Sequence, residues 1–274
     1  MVTKDQRRRQ LAREKFERQQ QRRAQEQRKG VRRNAIVAAV LAVVLAAGAT
    51  AWAAGAFSSD AKKDDAAAAS ASPTPAEPSK APDPCAKPAA GDPGTEQWKK
   101  EPEVTIDSSA KYTFTLQTTC GDIALNLDAK NAPHTVNSFA FLAGKGFFDH
   151  TKCHRLTTSG IYVLQCGDPT AQGSGGPGYT IPDENLKAKE IAGGTYPAGT
   201  VAMANTGQPH SGGSQFFLVY KDSPLPPSYT PFGTIADSGM KVLEKIAAAG
   251  ESTGGGDGAP NATVVINKAS VKKS

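Results

Sequence analysis

The chain lacks the spacings on which several common kinds of chemistry depend. Its four cysteines and four histidines form no zinc-type pattern. His150, Cys153, His154 and Cys166 are ligand types, but the two histidines sit on no recognisable helix, and Cys153 and His154 would alternate in direction along a strand. No metal or other cofactor is expected. The glycine-rich Gly173-Ser174-Gly175-Gly176 is not followed by Gly-Lys-Ser/Thr, which removes a phosphate loop and leaves a flexible rim loop. Around Ser214, Gly212-Gly213-Ser214-Gln215-Phe216 lacks the closing glycine of a nucleophile elbow, which argues against a serine hydrolase. Internal repeats are absent too.

Charge is unevenly spread. The net charge is +6 over 274 residues, yet residues 1–33 alone hold 13 Lys and Arg against 4 Asp and Glu, so the remainder is acidic by −3. Basicity therefore belongs to a tail, residues 1–34, read as a solvated arm against acidic lipid headgroups; no nucleic-acid partner is expected. Residues 35–57 form a 23-residue run without a charge, which as a helix would be about 35 Å long and would cover a hydrocarbon core of about 30 Å. The run is predicted to cross the membrane once. Arg32-Arg33 and the basic tail place the N-terminus in the cytoplasm and everything after Phe57 outside the cell membrane. The alternative is a cleaved signal peptide, for which Ala49-Thr50-Ala51 offers a site; the long leader and long run favour an uncleaved anchor.

Residues 58–103 are rich in Ala, Pro, Ser, Asp and Lys, with eight prolines between Pro73 and Pro102. That composition cannot bury a core and reads as an extended tether, with Trp98 as the one large apolar side chain available to dock. Residues 104–274 change to short alternating segments. Tyr112, Phe114 and Leu116, then Ile123, Leu125 and Leu127, predict a hairpin. Asn131 is placed to cap a helix running to about Ala143, and a second helix is predicted over Ser238 to Ala249. Further strands are predicted at 200–204, 215–220, 232–236 and 263–267. Many short strands with only two helices point to a mainly β domain: a closed antiparallel barrel with the helices over its ends.

The stretch from Cys153 to Asp168 sets one arginine and one glutamine inside two apolar strand-like runs. If the turn lies within residues 156–162, Arg155 and Gln165 project from the same face, so a planar five-donor cation stands beside an amide that can hold it. An ordinary surface arginine is the plain alternative. The same alternation argues against a Cys153–Cys166 disulfide, because Cys153 shares the Arg155 face and Cys166 does not. Among the other pairings of Cys85, Cys120, Cys153 and Cys166 the sequence does not choose.

Several segments in order carry a resemblance: Ala132-Pro133-x-Thr135-Val136-x-x-Phe139, Gly146-Phe147-Phe148-Asp149, His154-Arg155, Tyr162-Val163-Leu164-Gln165-Cys166-Gly167-Asp168, Met203-Ala204-Asn205-Thr206-Gly207, Gly213-Ser214-Gln215-Phe216-Phe217 and Phe232-Gly233. Over about residues 110–270 the chain resembles the cyclophilins, peptidyl-prolyl cis/trans isomerases. The resemblance implies an eight-stranded barrel and a catalytic role for Arg155, with Gln165 positioning it and the substrate. It implies a proline pocket of Tyr162, Val163, Phe217 and Leu225, an aromatic wall at Tyr229, and a peptide-holding backbone at Asn205. Phe216, by alternation, belongs to the core.

Departures from the family pattern bear on peptide preference. Tyr162 and Val163 stand where phenylalanine and methionine are usual, Pro224 where many members have a tryptophan that contacts cyclosporin, and Tyr229 where histidine is common. The expected function is isomerisation of X-Pro bonds in exported or envelope polypeptides by a monomeric, membrane-anchored protein. The rival is a weakly catalytic module or chaperone that only holds proline-containing segments.

Overall fold

The computed structural model describes residues 82–273; the basic tail, the apolar run and the first part of the tether lie outside the described residues. In chain order the strands are β1 (Tyr112–Thr118), β2 (Gly121–Leu127), β3 (Thr151–Lys152), β4 (Arg155–Thr157), β5 (Val163–Cys166), β6 (Thr195–Tyr196), β7 (Thr200–Met203), β8 (Phe216–Val219), β9 (Ser223–Pro224), β10 (Pro231–Ile235), β11 (Asp257–Gly258) and β12 (Val265–Lys273). Helix α1 spans Pro133–Gly144 and α2 spans Asp237–Ala248. No described helix is long and apolar enough to cross a membrane.

The expected hairpin forms with Thr118 opposite Gly121, so Tyr112, Phe114 and Leu116 face inward with Ile123, Leu125 and Leu127. Every ladder among the described residues is antiparallel: ten strands form one sheet in the order β11-β4-β5-β8-β7-β10-β2-β1-β12-β3, and β6 pairs with β9 apart from it. The expected closed eight-stranded barrel is corrected to a curled ten-stranded sheet, because its edge strands β11 and β3 are each paired on one side only and not to each other. The chain itself spans the gap: Cys153 and His154 step from β3 to β4, with the Cys153 N–H on the Val264 carbonyl and the His154 N–H on that of Gln165.

Five fully buried phenylalanines, Phe114, Phe139, Phe148, Phe216 and Phe232, fill the space between the sheet and α1. Their ring centroids lie 4.7–6.2 Å apart in tilted and edge-on pairs. Burying each such side chain contributes about 1.5–3 kcal/mol. α1 turns Val136, Phe139, Leu142 and Ala143 into that core. Its cap is not the expected one. Ala132 holds the N-cap position and Pro133 starts the helix, while Asn131 is engaged with Asp128. The orphan N–H groups of His134 and Thr135 donate instead to the Glu184 carboxylate at 3.0 and 2.9 Å, so a distant acid supplies what a local side chain was expected to supply.

The disulfides join Cys85 to Cys120 and Cys153 to Cys166. The second overturns the expectation against it. Alternation holds only within a continuous strand, and the strand breaks at Cys153-His154, which frees Cys153 to turn toward Cys166. Residues 82–103, expected to be free tether, are held against the domain, first beside the β1–β2 turn and then beside α1. The Cys85–Cys120 bond fastens them, the Ala86 N–H donates to the Thr119 carbonyl, and the Trp98 N–H donates to that of Pro177. Trp98 docks as expected, edge-on to Phe141 at 5.1 Å.

Candidate active site

Alternation along β5 divides its side chains. Leu164 and Cys166 enter the phenylalanine core, and Val163 and Gln165 face the other way. Register then aligns a row across four strands: Arg155 on β4 opposite Gln165 on β5, Gln165 opposite Phe217 on β8, and Phe217 opposite Ala202 on β7. Strands lie about 4.8 Å apart, so the row carries a cation, an amide and an aromatic ring across about 10 Å.

The Arg155 guanidinium is held on two sides. Its Nη1 donates to Gln165 Oε1 at 3.3 Å, and Nε and Nη2 donate to the two oxygens of Asp257 at 2.8 and 2.7 Å. Hydrogen bonding to the Asp257 carboxylate raises the arginine pKa above its ordinary value, and the same bonding lowers that of Asp257. Gln165 is in turn fixed from behind. Its Nε2 donates to Gln215 Oε1, whose own Nε2 donates to the Gly175 carbonyl, both at 2.9 Å. A relay of amides thereby sets the rotamer of the residue that steadies the arginine. Arg155 remains 39 % exposed, enough to meet a ligand from solvent.

Beside this row lies a second apolar cluster, separate from the main core, made by Val163, Ile191, Tyr196, Ala202, Phe217 and Val219. Its six members are buried, and half-buried Leu225 and Tyr229 pack on it and form its solvent edge. Phe217 and Tyr229 meet edge-on at 5.5 Å. Tyr196, which the sequence did not single out, braces the wall. Its hydroxyl donates to the Tyr229 carbonyl at 2.7 Å and accepts from the Tyr229 N–H at 3.1 Å, and burial pushes its pKa up to about 12.

Asn205 holds its loop by its side chain, with Nδ2 on the Ser228 carbonyl and Oδ1 accepting from the Gly207 N–H. Among the described residues its own backbone N–H and carbonyl make no hydrogen bond, so both are available to an extended ligand. An open groove of about 860 Å³ runs past Gln165, Gln215 and Asn205. Tyr162 does not join the apolar cluster. Its ring sits 6.0 Å from that of Tyr220 with the Lys221 ammonium 4.6 Å above it. Cys153 and Cys166, weighed as metal ligands, are joined to each other, and no group of three or more His, Cys, Asp or Glu among the described residues is placed to hold a metal ion.

Residues 113–271 match the family model of the cyclophilin type peptidyl-prolyl cis-trans isomerase/CLD. The chain belongs to the cyclophilin-type peptidyl-prolyl cis-trans isomerase family. Over 167 residues it is 51 % identical to the Mycobacterium leprae protein named "Probable peptidyl-prolyl cis-trans isomerase B", covering 57 % of this chain and 56 % of that one. It is 41 % identical over 142 residues to a peptidyl-prolyl cis-trans isomerase, cypE, of Dictyostelium discoideum, covering 50 % of this chain and 86 % of the relative. A crystal structure of a Cryptosporidium parvum cyclophilin type peptidyl-prolyl cis-trans isomerase superposes with a TM-score of 0.50 at 25 % identity, over 60 % of this chain and 99 % of that one. The chain spans about half the length of the mycobacterial relatives it matches. Within this cyclophilin-type domain the sequence reasoning missed Tyr196 and Asp257. Both sit on two-residue strands flanked by glycine-rich turns, where periodicity has too few residues to register.

Proposed function

We propose that the domain catalyses cis/trans isomerisation of peptide bonds preceding proline, without covalent chemistry. The observation that carries this reading is the part-exposed Arg155 side chain, fixed by Gln165 and Asp257 beside an apolar cluster of Val163 and Phe217 whose solvent edge is formed by half-buried Leu225 and Tyr229. Rotation about the imide crosses a barrier of about 18–20 kcal/mol because it sacrifices amide resonance, and uncatalysed exchange takes tens to hundreds of seconds. Twisting frees the proline nitrogen lone pair. A donor aimed at that lone pair stabilises the twisted state and not the planar one, which is the condition for acceleration. A charge-assisted hydrogen bond supplies about 1.5–3 kcal/mol. Exchange on the millisecond scale needs roughly 5–7 kcal/mol at 1.36 kcal/mol per tenfold. The remainder is assigned to the cluster, which grips the ring and excludes water, and to the free Asn205 backbone groups, which hold the flanking peptide.

The test is exchange spectroscopy of an Ala-Pro peptide with the purified chain. Accelerated interconversion supports the enzyme. Binding shifts without acceleration favour the rival reading of a proline-peptide holder.

We also place the domain outside the cell membrane, monomeric and anchored through residues 35–57, with exported or envelope polypeptides as its clients. The uncharged run and basic leader support the anchor, and pairing of all four cysteines in disulfides supports an oxidising compartment. The mature chain in isolated membranes is expected at full length; a product shorter by about 50 residues contradicts the anchor.

A further inference from the structure

We propose that Asp257 is a positioning residue for Arg155: its carboxylate, with Gln165, fixes which guanidinium N–H groups meet the substrate. This rests on the isomerase reading and extends it to a residue on the far side of the site.

A guanidinium has five N–H donors in one plane. Asp257 takes Nε–H and one Nη2 hydrogen, and Gln165 takes one from Nη1. One donor on each terminal nitrogen is left over. Those two lie in the plane that the carboxylate imposes, since a two-point contact allows neither rotation about the last bonds of the side chain nor tilting. Gln165 alone, through one bond at 3.3 Å, would leave a swivelling head on a long flexible stem.

The turn that carries Asp257 is built to hold it. The Glu251 carboxylate accepts from the Thr253 N–H, the Thr253 hydroxyl and the Gly256 N–H at 2.6, 2.8 and 2.8 Å. The Gly256 carbonyl accepts from the Thr158 N–H at 2.9 Å. Gly256 adopts φ +92°, and a Cβ there would come within 2.5 Å of Ser159; one on Gly258 would strike the Glu251 carboxylate. Close packing on both flanks, together with the β11–β4 ladder that sets Asp257 opposite Thr157, fixes the backbone from which the carboxylate reaches Arg155. An ordinary surface ion pair would need no such scaffold and would contribute little to stability, because Asp257 is 55 % exposed.

The experiment compares the full chain with Asp257→Ala, Asp257→Glu, Arg155→Ala and the double variant Asp257→Ala/Arg155→Ala in Ala-Pro exchange. Asp257→Ala is expected to lower kcat about tenfold with KM nearly unchanged and the unfolding midpoint unmoved. Asp257→Glu is expected to recover most of that loss, and the double variant to match Arg155→Ala alone. Unchanged kcat in Asp257→Ala, or losses that multiply in the double variant, overturns the proposal. A wild-type chain that fails to accelerate exchange instead removes the isomerase reading itself.

Discussion

Two faces of the same four strands make the informative comparison. On the inner face of β5 and β8, Leu164, Cys166, Phe216 and Leu218 are sealed, all with no measurable exposure. On the outer face, one residue away along each strand, Gln165 meets Arg155, and Val163 and Phe217 join a smaller buried cluster whose solvent edge is formed by half-buried Leu225 and Tyr229. The inner face has one task, to exclude water. The outer face mixes a cation, two amides and aromatic rings, a composition that would be costly in a core and is useful only where a ligand completes it. A period of two residues thus separates stability from function within single strands.

Phe216 and Phe217 put that separation to its strongest test. Phe216→Ala opens a cavity among Phe114, Phe139 and Phe148 and is expected to cost about 3–5 kcal/mol of unfolding free energy. Phe217→Ala, in the smaller cluster edged by half-buried Leu225 and Tyr229, is expected to cost less stability, about 1–3 kcal/mol, and to raise KM for the proline peptide more than Phe216→Ala does. Denaturant unfolding and peptide exchange on both variants check this. Equal stability losses with equal kinetics would erase the distinction between the faces.

A smaller effect is expected at the step between the faces. Both ring nitrogens of His154 are buried and have no hydrogen-bond partner. Burial lowers its pKa below the ordinary 6.5, Asp168 opposes the shift, and Arg155 adds to it. The unfolded chain therefore takes up this proton more readily than the folded one. Stability from the neutral ring is complete above about pH 6.5 and is lost as pH falls through that value toward the folded pKa. Between about pH 7 and about pH 5 the urea midpoint is expected to fall, and to fall less in His154→Phe. Identical slopes in the two proteins would mean that His154 does not titrate across unfolding. Asp168, whose pKa is lowered by hydrogen bonds from Thr170 and Gly175, contributes its loss at more acidic pH, below the ordinary carboxylate range.

Much of the outer face was readable because strand period constrains it. The pairing of Arg155 with Gln165 and the opposite fates of Phe216 and Phe217 follow from alternation, and the structure places them so. The same rule misled at Cys153, where the strand breaks and direction is no longer inherited. Residues 82–103 escaped for a different reason. A proline-rich segment cannot make its own core, but a disulfide and one docked tryptophan hold it to a core made by others. Asn131 was a sound local cap; Glu184, fifty residues away, displaced it through tertiary contact. Tyr196 and Asp257 lie on two-residue strands beside turns whose glycines shape the backbone without announcing which side chain they aim.

The central claim is that the Arg155 guanidinium stabilises a twisted imide. Exchange of an Ala-Pro peptide by the wild-type chain and by Arg155→Ala, with the folded state of each checked by its unfolding curve, tests it most directly. The account predicts at least a tenfold loss of catalysed exchange in the variant with stability retained; equal exchange rates in the two folded proteins would contradict it.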